Sequence, residues 1–347
     1  MQLALAEAEQ GIGTTSPNPP VGAVIVRDGK VLGKGYHVRA GEPHAERNAL
    51  ADARRRGHSL KGAVIYVTLE PCSSYGRTPP CTEGIIEAGI SRVVYGATDP
   101  DERHRGRADA VLQAAGVEVC PGVCKPACER LLRFWAHAVT TGRPWVTAKI
   151  ATTLDGRITR RSERWLSSPE SLSHAHELRL RSDAILVGGR TVRTDDPALT
   201  IRHPLSPIPE VKKQPWRIVL TRDRSVLPRQ AKLFTDAYAD RTLVLEQVED
   251  WEGMLHMLYR DYGIVHLLLE CGGHLLRRFL EQGLVQEWVQ DIRPVLGGGS
   301  ELMLPGDYLP QEWNLQTESL QFMGGNAVLR GLIKPADFCE GKPNSGF

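Results

Sequence analysis

The hydrophobic pattern of the first 140 residues alternates between short apolar runs and amphipathic stretches. Buried or alternating apolar positions predict strands at Val21–Val26, Lys30–His37, Val64–Thr68, Arg92–Tyr95 and Val117–Val119. Helical periodicity predicts helices at Leu3–Glu9, Glu42–Arg56, Thr82–Ala88, Ala108–Ala115 and Pro126–His137. Because strands alternate with helices, this half is expected to form an α/β layer with helices on both faces.

The second half repeats the alternation after a predicted linker at Ala138–Pro144. Strands are predicted at Trp145–Thr153, Ala184–Gly188, Trp216–Leu220, Thr242–Leu245 and Val265–Glu270, and helices at Ser168 to about Arg181, Trp251–Arg260 and His274–Gln282. The segment from Gly189 to Arg202 is predicted to be a loop. Gly272 and Gly273 join a strand to a helix, which would let a phosphate approach the backbone, although a tight turn is the commoner explanation.

Length and composition describe a globular protein with two cores. The chain has 347 residues, 24% of them charged, and a net charge of +2, so no electrostatic argument for binding nucleic acid arises. We find no run of eighteen apolar residues and no signal-peptide pattern, and therefore expect a cytoplasmic protein without a membrane association. Seven cysteines, an odd number, argue against a secreted disulfide scaffold.

Candidate metal chemistry is concentrated between His44 and Cys81. Imidazole and thiolate ligands at His44, Cys72 and Cys81 suit zinc, and three protein ligands leave a fourth position open for a water. Glu46 then supplies a carboxylate that carries protons, as in the His-x-Glu and Pro-Cys signature of zinc deaminases. The alternative is a structural zinc site or unrelated core residues. A structural site would need a fourth ligand, for which His58 is the nearest candidate.

A second run of cysteines, Cys120, Cys124 and Cys128, superficially resembles an iron–sulfur motif. It has no nearby fourth ligand, and we interpret the three residues as ordinary free thiols.

The longer strings SPNPPVGAVIV, EPCSSYGRTPPC, KIATTLDGRIT, DDPALTIR and LLLECGGHLL resemble, in order, the bifunctional riboflavin-biosynthesis deaminase/reductase family. The resemblance implies a cytidine-deaminase-like three-layer domain at 1–140. It also implies a dihydrofolate-reductase-like α/β domain at 144–335, followed by a tail at 336–347. One zinc ion per chain and NADPH are the implied cofactors.

For the deaminase half, the resemblance implies that Asn18, His37, Arg77, Asp99 and Asp101 contact the substrate. Taken alone, Asn18 is a turn residue between prolines and His37 an ordinary residue at a strand end. Arg77 would reach the phosphate of the ribose. Ser74 departs from the family, most members of which have histidine there.

For the reductase half, the resemblance implies NADPH contacts at Ala151, Trp165, Thr191, Gly272 and Gly273, with substrate contacts at Leu199, Arg202 and Glu270. Asp195 is a candidate proton donor or cofactor contact. The plainer interpretation is that Asp195 and Asp196 cap a turn and that Glu270 is a surface acid. Glu163 and Arg222 depart from the family, which generally has serine at the first position and, in some members, at the second.

The expected function is therefore two consecutive reactions on a small pyrimidine ribosyl phosphate, hydrolytic deamination and then NADPH-dependent reduction, in a homo-oligomer. One alternative is a deaminase of another pyrimidine or of a tRNA base, with a C-terminal domain that no longer reduces. Another is a nucleotide-binding protein without activity, which the intact zinc and Glu46 signature disfavours.

Overall fold

Two mixed β-sheets form the centres of two compact units, mainly Met1–Pro144 and Trp145 onwards. The computed structural model describes residues 1–75, 79–102, 104–160, 166–202 and 212–336. The tail predicted at 336–347 thus lies outside the described residues beyond position 336.

The first unit is built on a five-stranded sheet with the order β2-β1-β3-β4-β5. Strand β1 is antiparallel to β2 and β3, whereas β3, β4 and β5 are parallel. The strands are β1 Gly22–Arg27, β2 Lys30–Tyr36, β3 Val64–Leu69, β4 Arg92–Ala97 and β5 Glu118–Cys120. The five predicted strands of this half are confirmed.

Helices cover this sheet and enclose a core that includes Ile25, Ile65, Ile85, Val93 and Leu112. They are α1 Gln2–Glu9, α2 Ala45–Arg55, α3 Cys81–Glu87, α4 Arg107–Ala114 and α5 Lys125–Thr141. Helix α5 continues to Thr141 and ends at Gly142, which adopts a left-handed conformation. The prediction that it ends at His137, where the linker was expected to begin, is therefore wrong.

Two glycines bring α2, which carries the site residues, close to the sheet. A Cβ at Gly33 would lie 2.5 Å from the Ala49 carbonyl oxygen, and one at Gly35 would lie 2.4 Å from the Ala49 nitrogen. Only a residue without a side chain allows this close approach of helix to strand. The approach fixes the height of the first turn of α2 above the sheet.

The second unit is built on an eight-stranded sheet with the order β12-β13-β11-β6-β10-β7-β8-β9. Its six strands from β11 to β9 are parallel, and β13 and β12 are antiparallel additions. The strands are β6 Trp145–Thr153, β7 Ala184–Gly188, β8 Trp216–Thr221, β9 Thr242–Glu246, β10 His266–Leu269, β11 Glu287–Arg293, β12 Trp313–Met323 and β13 Asn326–Pro335.

The helices in this half of the sequence are α6 Pro169–Arg181, α7 Gly189–Asp195, α8 Lys232–Thr235, α9 Trp251–Tyr262 and α10 Gly273–Glu281. Residues 255–265, which include most of α9, group with the first unit. The predicted N-cap of α6 is confirmed, since Ser168 Oγ accepts a hydrogen bond from the Ser171 amide at 3.1 Å. The prediction of a loop from Gly189 onwards is wrong, because its first seven residues form α7. The hairpin of β12 and β13, which turns at Gly324 and Gly325, was not predicted.

Among the described residues, no helix combines the length and the apolar character needed to span a lipid bilayer.

Candidate active sites

His44, Cys72 and Cys81 converge in the first unit as a three-ligand group. His44 precedes α2, Cys72 follows β3, and Cys81 begins α3. Nδ1 of His44 lies 3.5 Å from Sγ of Cys72 and 3.5 Å from Sγ of Cys81. Zinc–nitrogen and zinc–sulfur bonds of standard length in a tetrahedron separate the two ligand atoms by roughly 3.6 Å. The three side chains therefore fit zinc as they stand.

Hydrogen bonds with Cys81 and His44 favour the thiolate form of Cys72. The Cys81 amide, in the first turn of α3, donates to Sγ of Cys72 at 3.3 Å. The pKa of the Cys72 thiol is lowered first by the side-chain hydrogen bond with Cys81, then, against the effect of burial, by that with His44, and to a smaller extent by the Cys81 amide. A lowered thiol pKa and a helix N-terminus both support metal binding. The helix predicted at Thr82–Ala88 is confirmed, and it begins one residue earlier, at Cys81.

Glu46 lies in the first turn of α2, beside the three ligands, and is 3% exposed. Burial is the main reason that its pKa is raised to about 6, with the nearby Cys72 as the second cause. A buried carboxyl group beside three candidate metal ligands is suited to the role of a proton carrier.

Asn18 and His37 form a hydrogen-bonded pair next to His44. The His37 ring contacts the Pro43 carbonyl through Nδ1 at 3.1 Å and Asn18 Nδ2 through Nε2 at 3.0 Å. Since a carbonyl only accepts, Nδ1 carries the proton and Nε2 accepts from Asn18. Burial lowers the pKa of His37, which favours this neutral form. The contact turns Asn18 Nδ2 toward His37 and leaves Oδ1 as the acceptor for a ligand.

Asp99 and Asp101 lie in the loop after β4. Oδ1 of Asp99 accepts from the Asp101 amide at 2.9 Å, and burial raises the pKa of Asp99. In the same loop, Nδ1 of His104 lies 3.3 Å from Oγ of Ser74. The His104 imidazole therefore lies beside Ser74, the position at which most family members have histidine. Arg77 lies outside the described residues.

In the second unit, Lys149, Arg179 and Glu270 form a charged cluster. Both carboxylate oxygens of Glu270 accept from Arg179 at 2.7 Å. Burial lowers the pKa of Lys149, against the opposing charges of Glu270 and Asp291. Glu270 is therefore not the surface acid of the plainer interpretation, since its side chain is only 16% exposed.

Three of the predicted residues lie at the end of α7 and in the segment that follows it. Asp195 ends α7 and is exposed, Leu199 is buried with a φ of 49°, and Arg202 is exposed. A positive φ is costly for leucine, and the peptides on both sides are held in place. The Ala198 carbonyl accepts from Arg217 at 3.0 Å, and the Thr200 carbonyl from Arg179 at 3.1 Å.

Two glycine turns lie side by side at the ends of the neighbouring parallel strands β7 and β10. Gly188 and Gly189 precede Thr191 in α7, and Gly272 and Gly273 begin α10. A Cβ at Gly272 would meet no atom within 4 Å, whereas one at Gly273 would lie 2.5 Å from the Leu302 and Met303 carbonyl oxygens. The open backbone at the start of α10 fits a phosphate of NADPH.

Ala151 on β6 pairs with Asp291 on β11, two residues beyond Lys149 and on the same face of the sheet. Arg222 follows β8 and is exposed. Trp165 and Glu163 lie outside the described residues.

The second run of cysteines, Cys120, Cys124 and Cys128, does not form a metal-binding group among the described residues. Within the described ranges, one group of three or more His, Cys, Asp or Glu side chains has ligand atoms within 4.8 Å of one another, and it is the His44, Cys72 and Cys81 group. Cys128 is buried, and a Cβ at Gly96 would clash with its Sγ. Cys124 is exposed and Cys120 half-buried.

Sequence reasoning missed Arg179 and gave Lys149 no role. Arg179 lies in a helix whose sequence has ordinary amphipathic periodicity. That pattern does not indicate that the arginine side chain is buried. Lys149 had one usable signal, because it is the single charged residue in the middle of a largely buried strand.

Comparison with known proteins agrees with both halves. Residues 1–97 match the cytidine and deoxycytidylate deaminase zinc-binding region, and residues 144–329 match the RibD C-terminal domain. Riboflavin biosynthesis protein RibD of Aquifex aeolicus is 40% identical, over 86% of this chain and 87% of its own. The Escherichia coli protein of the same name is 38% identical, over 86% and 88%.

Two solved structures are similar over almost the whole chain. RibD of Acinetobacter baumannii has a TM-score of 0.87 at 34% identity and covers 96% of this chain and 97% of its own. The diaminohydroxyphosphoribosylaminopyrimidine deaminase/5-amino-6-(5-phosphoribosylamino)uracil reductase of Thermotoga maritima has a TM-score of 0.85 at 31% identity, with the same coverage. This chain belongs to the RibD family of riboflavin biosynthesis, and it is a bifunctional enzyme that joins a zinc-dependent deaminase to an NADPH-dependent reductase.

Proposed function

We propose that the first unit deaminates 2,5-diamino-6-ribosylamino-4(3H)-pyrimidinone 5′-phosphate and that the second unit reduces the ribosyl group of the product to ribityl. The observation that carries the proposal is the ready-made ligand geometry of His44, Cys72 and Cys81 beside the buried carboxyl of Glu46. The substrate is the one that the name of the Thermotoga maritima relative specifies for its two activities.

In the deaminase, His44, Cys72 and Cys81 hold the zinc. When bound, zinc lowers the pKa of a coordinated water toward neutrality. Glu46 takes the two protons of the attacking water and delivers one to the ring nitrogen and one to the amino group. The carbon–nitrogen bond then breaks, and the amino group leaves as ammonia.

Pyrimidine recognition involves Asn18, His37, Asp99 and Asp101. The Oδ1 atom of Asn18, oriented by the contact with His37, accepts a hydrogen bond from an amino group of the ring. In the loop after β4, Asp99 and Asp101 accept hydrogen bonds from hydroxyl or amino groups of the substrate. Arg77 binds the phosphate.

In the reductase, Glu270 and Lys149 face the ribosyl group and Arg202 binds its phosphate. Leu199 packs against the substrate, while Ala151, Trp165, Thr191, Gly272 and Gly273 bind the cofactor. When bound, NADPH supplies a hydride to C1′. A proton is delivered to the ring oxygen as the C1′–oxygen bond breaks. Asp195 is the candidate donor of that proton.

A pair of point variants tests this division of labour. Glu46→Gln should abolish ammonia release from the diaminopyrimidine phosphate while the variant still oxidises NADPH with the deaminated compound. Lys149→Met should do the reverse. If either substitution abolished both reactions in folded protein, or neither, the assignment of one reaction to each unit would be wrong.

A homo-oligomer is also proposed. Strand β12 is at the edge of the eight-stranded sheet and exposes Leu320 and Phe322, which are 59% and 81% exposed. Exposed apolar side chains on an open sheet edge favour pairing with another copy. Sedimentation analysis of the wild type and of Phe322→Lys should show a shift toward monomer in the variant. A cytoplasmic location remains a prediction from the sequence.

A further inference from the structure

Within the proposed deaminase function, we infer that Glu70 is a positioning residue, whose carboxylate ties the loop between β4 and α4 to the end of β3, two residues before Cys72. Glu70 does not touch the proposed substrate. It acts through Asp99, whose amide it holds.

The carboxylate of Glu70 joins both ends of this loop to strand β3. Its Oε2 accepts from the Asp99 amide at 3.2 Å, at the start of the loop. Its Oε1 accepts from the Ala108 amide at 3.3 Å, where the loop enters α4. Glu70 is itself anchored, because its own amide donates to the Ala97 carbonyl at 2.8 Å.

Helix α4 has no local cap that would make this contact redundant. Its N-cap residue is Gly106, with a φ of 71° and no side-chain hydrogen bond. Glu70 therefore provides from another strand the acceptor that a serine or aspartate usually provides within the chain. Glu70 is 5% exposed, and burying a carboxylate costs several kcal/mol before compensation. The two amides and the positive end of α4 compensate that charge.

Hydrogen bonds inside the loop connect its anchored ends to the residues between them. Arg105 donates to the Asp99 and Pro100 carbonyls, and the His104 amide donates to the Asp101 carbonyl at 2.9 Å. His104 also contacts Ser74, in the segment that follows Cys72. Glu70 precedes Cys72 by two residues. The end of β3 therefore positions the zinc ligand Cys72 and, through the Glu70 side chain, the loop after β4.

The test is Glu70→Gln, which has nearly the same shape. Glutamine has one acceptor oxygen for two amides, and its NH2 group faces the second amide. One end of the loop is released while the zinc ligands are untouched. We expect the KM for the diaminopyrimidine phosphate to rise about tenfold, with kcat within about threefold of wild type and one zinc retained per chain.

Asp109→Asn is the matched control. It neutralises an acid on the same helix that contacts the Tyr95 hydroxyl and not the loop, so its KM should stay at the wild-type value. The reductase reaction of each variant reports that the rest of the chain is intact. A second variant, Glu70→Asp, keeps the charge but shortens the reach by one methylene, and it should also raise KM if Glu70→Gln does not fold.

The outcomes separate this inference from the proposed function. A wild-type KM in the folded Glu70 variant, a KM rise of equal size in Asp109→Asn, or loss of zinc would each overturn the positioning role. If wild-type enzyme itself released no ammonia from the diaminopyrimidine phosphate, the proposed function would fail instead.

Discussion

Arg179 and Glu270 form a bidentate ion pair with two hydrogen bonds of 2.7 Å, in which each side chain is less than a fifth exposed. Burial by itself would raise the pKa of Glu270, but the charge and hydrogen bonds of Arg179 offset this, and the net pKa is lowered. Glu270 is therefore an oriented carboxylate next to Lys149. The same guanidinium holds the Thr200 carbonyl beside Leu199, so one side chain organises both sides of the reductase site.

Removing this arginine should impair reduction selectively. Arg179→Gln leaves Glu270 buried without its partner, which costs about 3 kcal/mol when a buried pair is broken. We expect kcat/KM for NADPH oxidation with the deaminated substrate to fall on the order of a hundredfold. Arg181→Gln, an exposed arginine on the same helix, should leave the rate unchanged. A normal rate in Arg179→Gln would show that Glu270 needs no such partner.

Replacing Glu46 should separate zinc binding from catalysis. Glu46→Gln keeps the size of the side chain but cannot carry a proton, so ammonia release should fall by about 10²- to 10⁴-fold. Zinc content, measured by atomic absorption, should stay at one per chain. Glu42→Gln, two residues before His44 and paired with Arg39, is the control and should behave as wild type. Near-normal ammonia release by Glu46→Gln rules out the proton-carrier role.

Truncating Asn18 should weaken recognition of the pyrimidine. His37 fixes the amide orientation through its Nε2 atom, and Oδ1 is left to accept from the ring. We expect Asn18→Ala to raise the KM of the deaminase about tenfold, the usual effect of losing one hydrogen bond to a buried partner. An unchanged KM in steady-state ammonia assays contradicts the proposed orientation.

Removal of zinc should affect one reaction and spare the other. Dialysis against a chelator should abolish ammonia release, since His44, Cys72 and Cys81 are the single group of this kind in the described part of the chain. NADPH oxidation with the deaminated substrate should persist, because the charged cluster of Lys149, Arg179 and Glu270 contains no metal-binding group of this type. Loss of both activities in protein that remains folded, as judged by circular dichroism, would argue against independent sites.

Acid should destabilise the second unit through His266. This residue is 3% exposed and its Nε2 lies 2.8 Å from the Thr147 hydroxyl. Burial lowers its pKa to about 4. His266 takes up a proton near pH 6.5 in the unfolded chain but stays neutral in the folded chain down to about pH 4. The stability that depends on neutral His266 is therefore complete above pH 6.5 and is lost as the pH falls toward 4. The loss approaches about 3 kcal/mol.

The comparison of His266→Gln with wild type isolates this effect. Urea unfolding at pH 7.5 and pH 5 should show a smaller loss of stability on acidification in the variant. His58→Gln, at an exposed position, should lose as much as wild type. An equal loss in His266→Gln and wild type would mean that His266 does not titrate in this way.

The sequence predicted the zinc ligands and the strands that deliver them because their signals are local. His44 and Glu46 are two residues apart, and Cys72 comes three residues after Leu69, the end of a strand rich in β-branched residues. Glu70 and Arg179 gave no such signal, because their roles depend on partners 29 to 91 positions away. Helix α7 was missed because two leading glycines and a following proline resemble a loop. The hairpin at Gly324 was missed because both strands carry many polar residues, as its exposed faces allow.

The most direct test of the account follows both reactions in one sample. Zinc-loaded wild-type protein is incubated with 2,5-diamino-6-ribosylamino-4(3H)-pyrimidinone 5′-phosphate, and ammonia is measured until release stops. NADPH is then added and its oxidation is recorded. We predict ammonia without NADPH, followed by oxidation of one NADPH per ammonia released. Release of ammonia with no subsequent NADPH oxidation, or NADPH oxidation in a sample that had released no ammonia, would contradict two consecutive reactions on this chain.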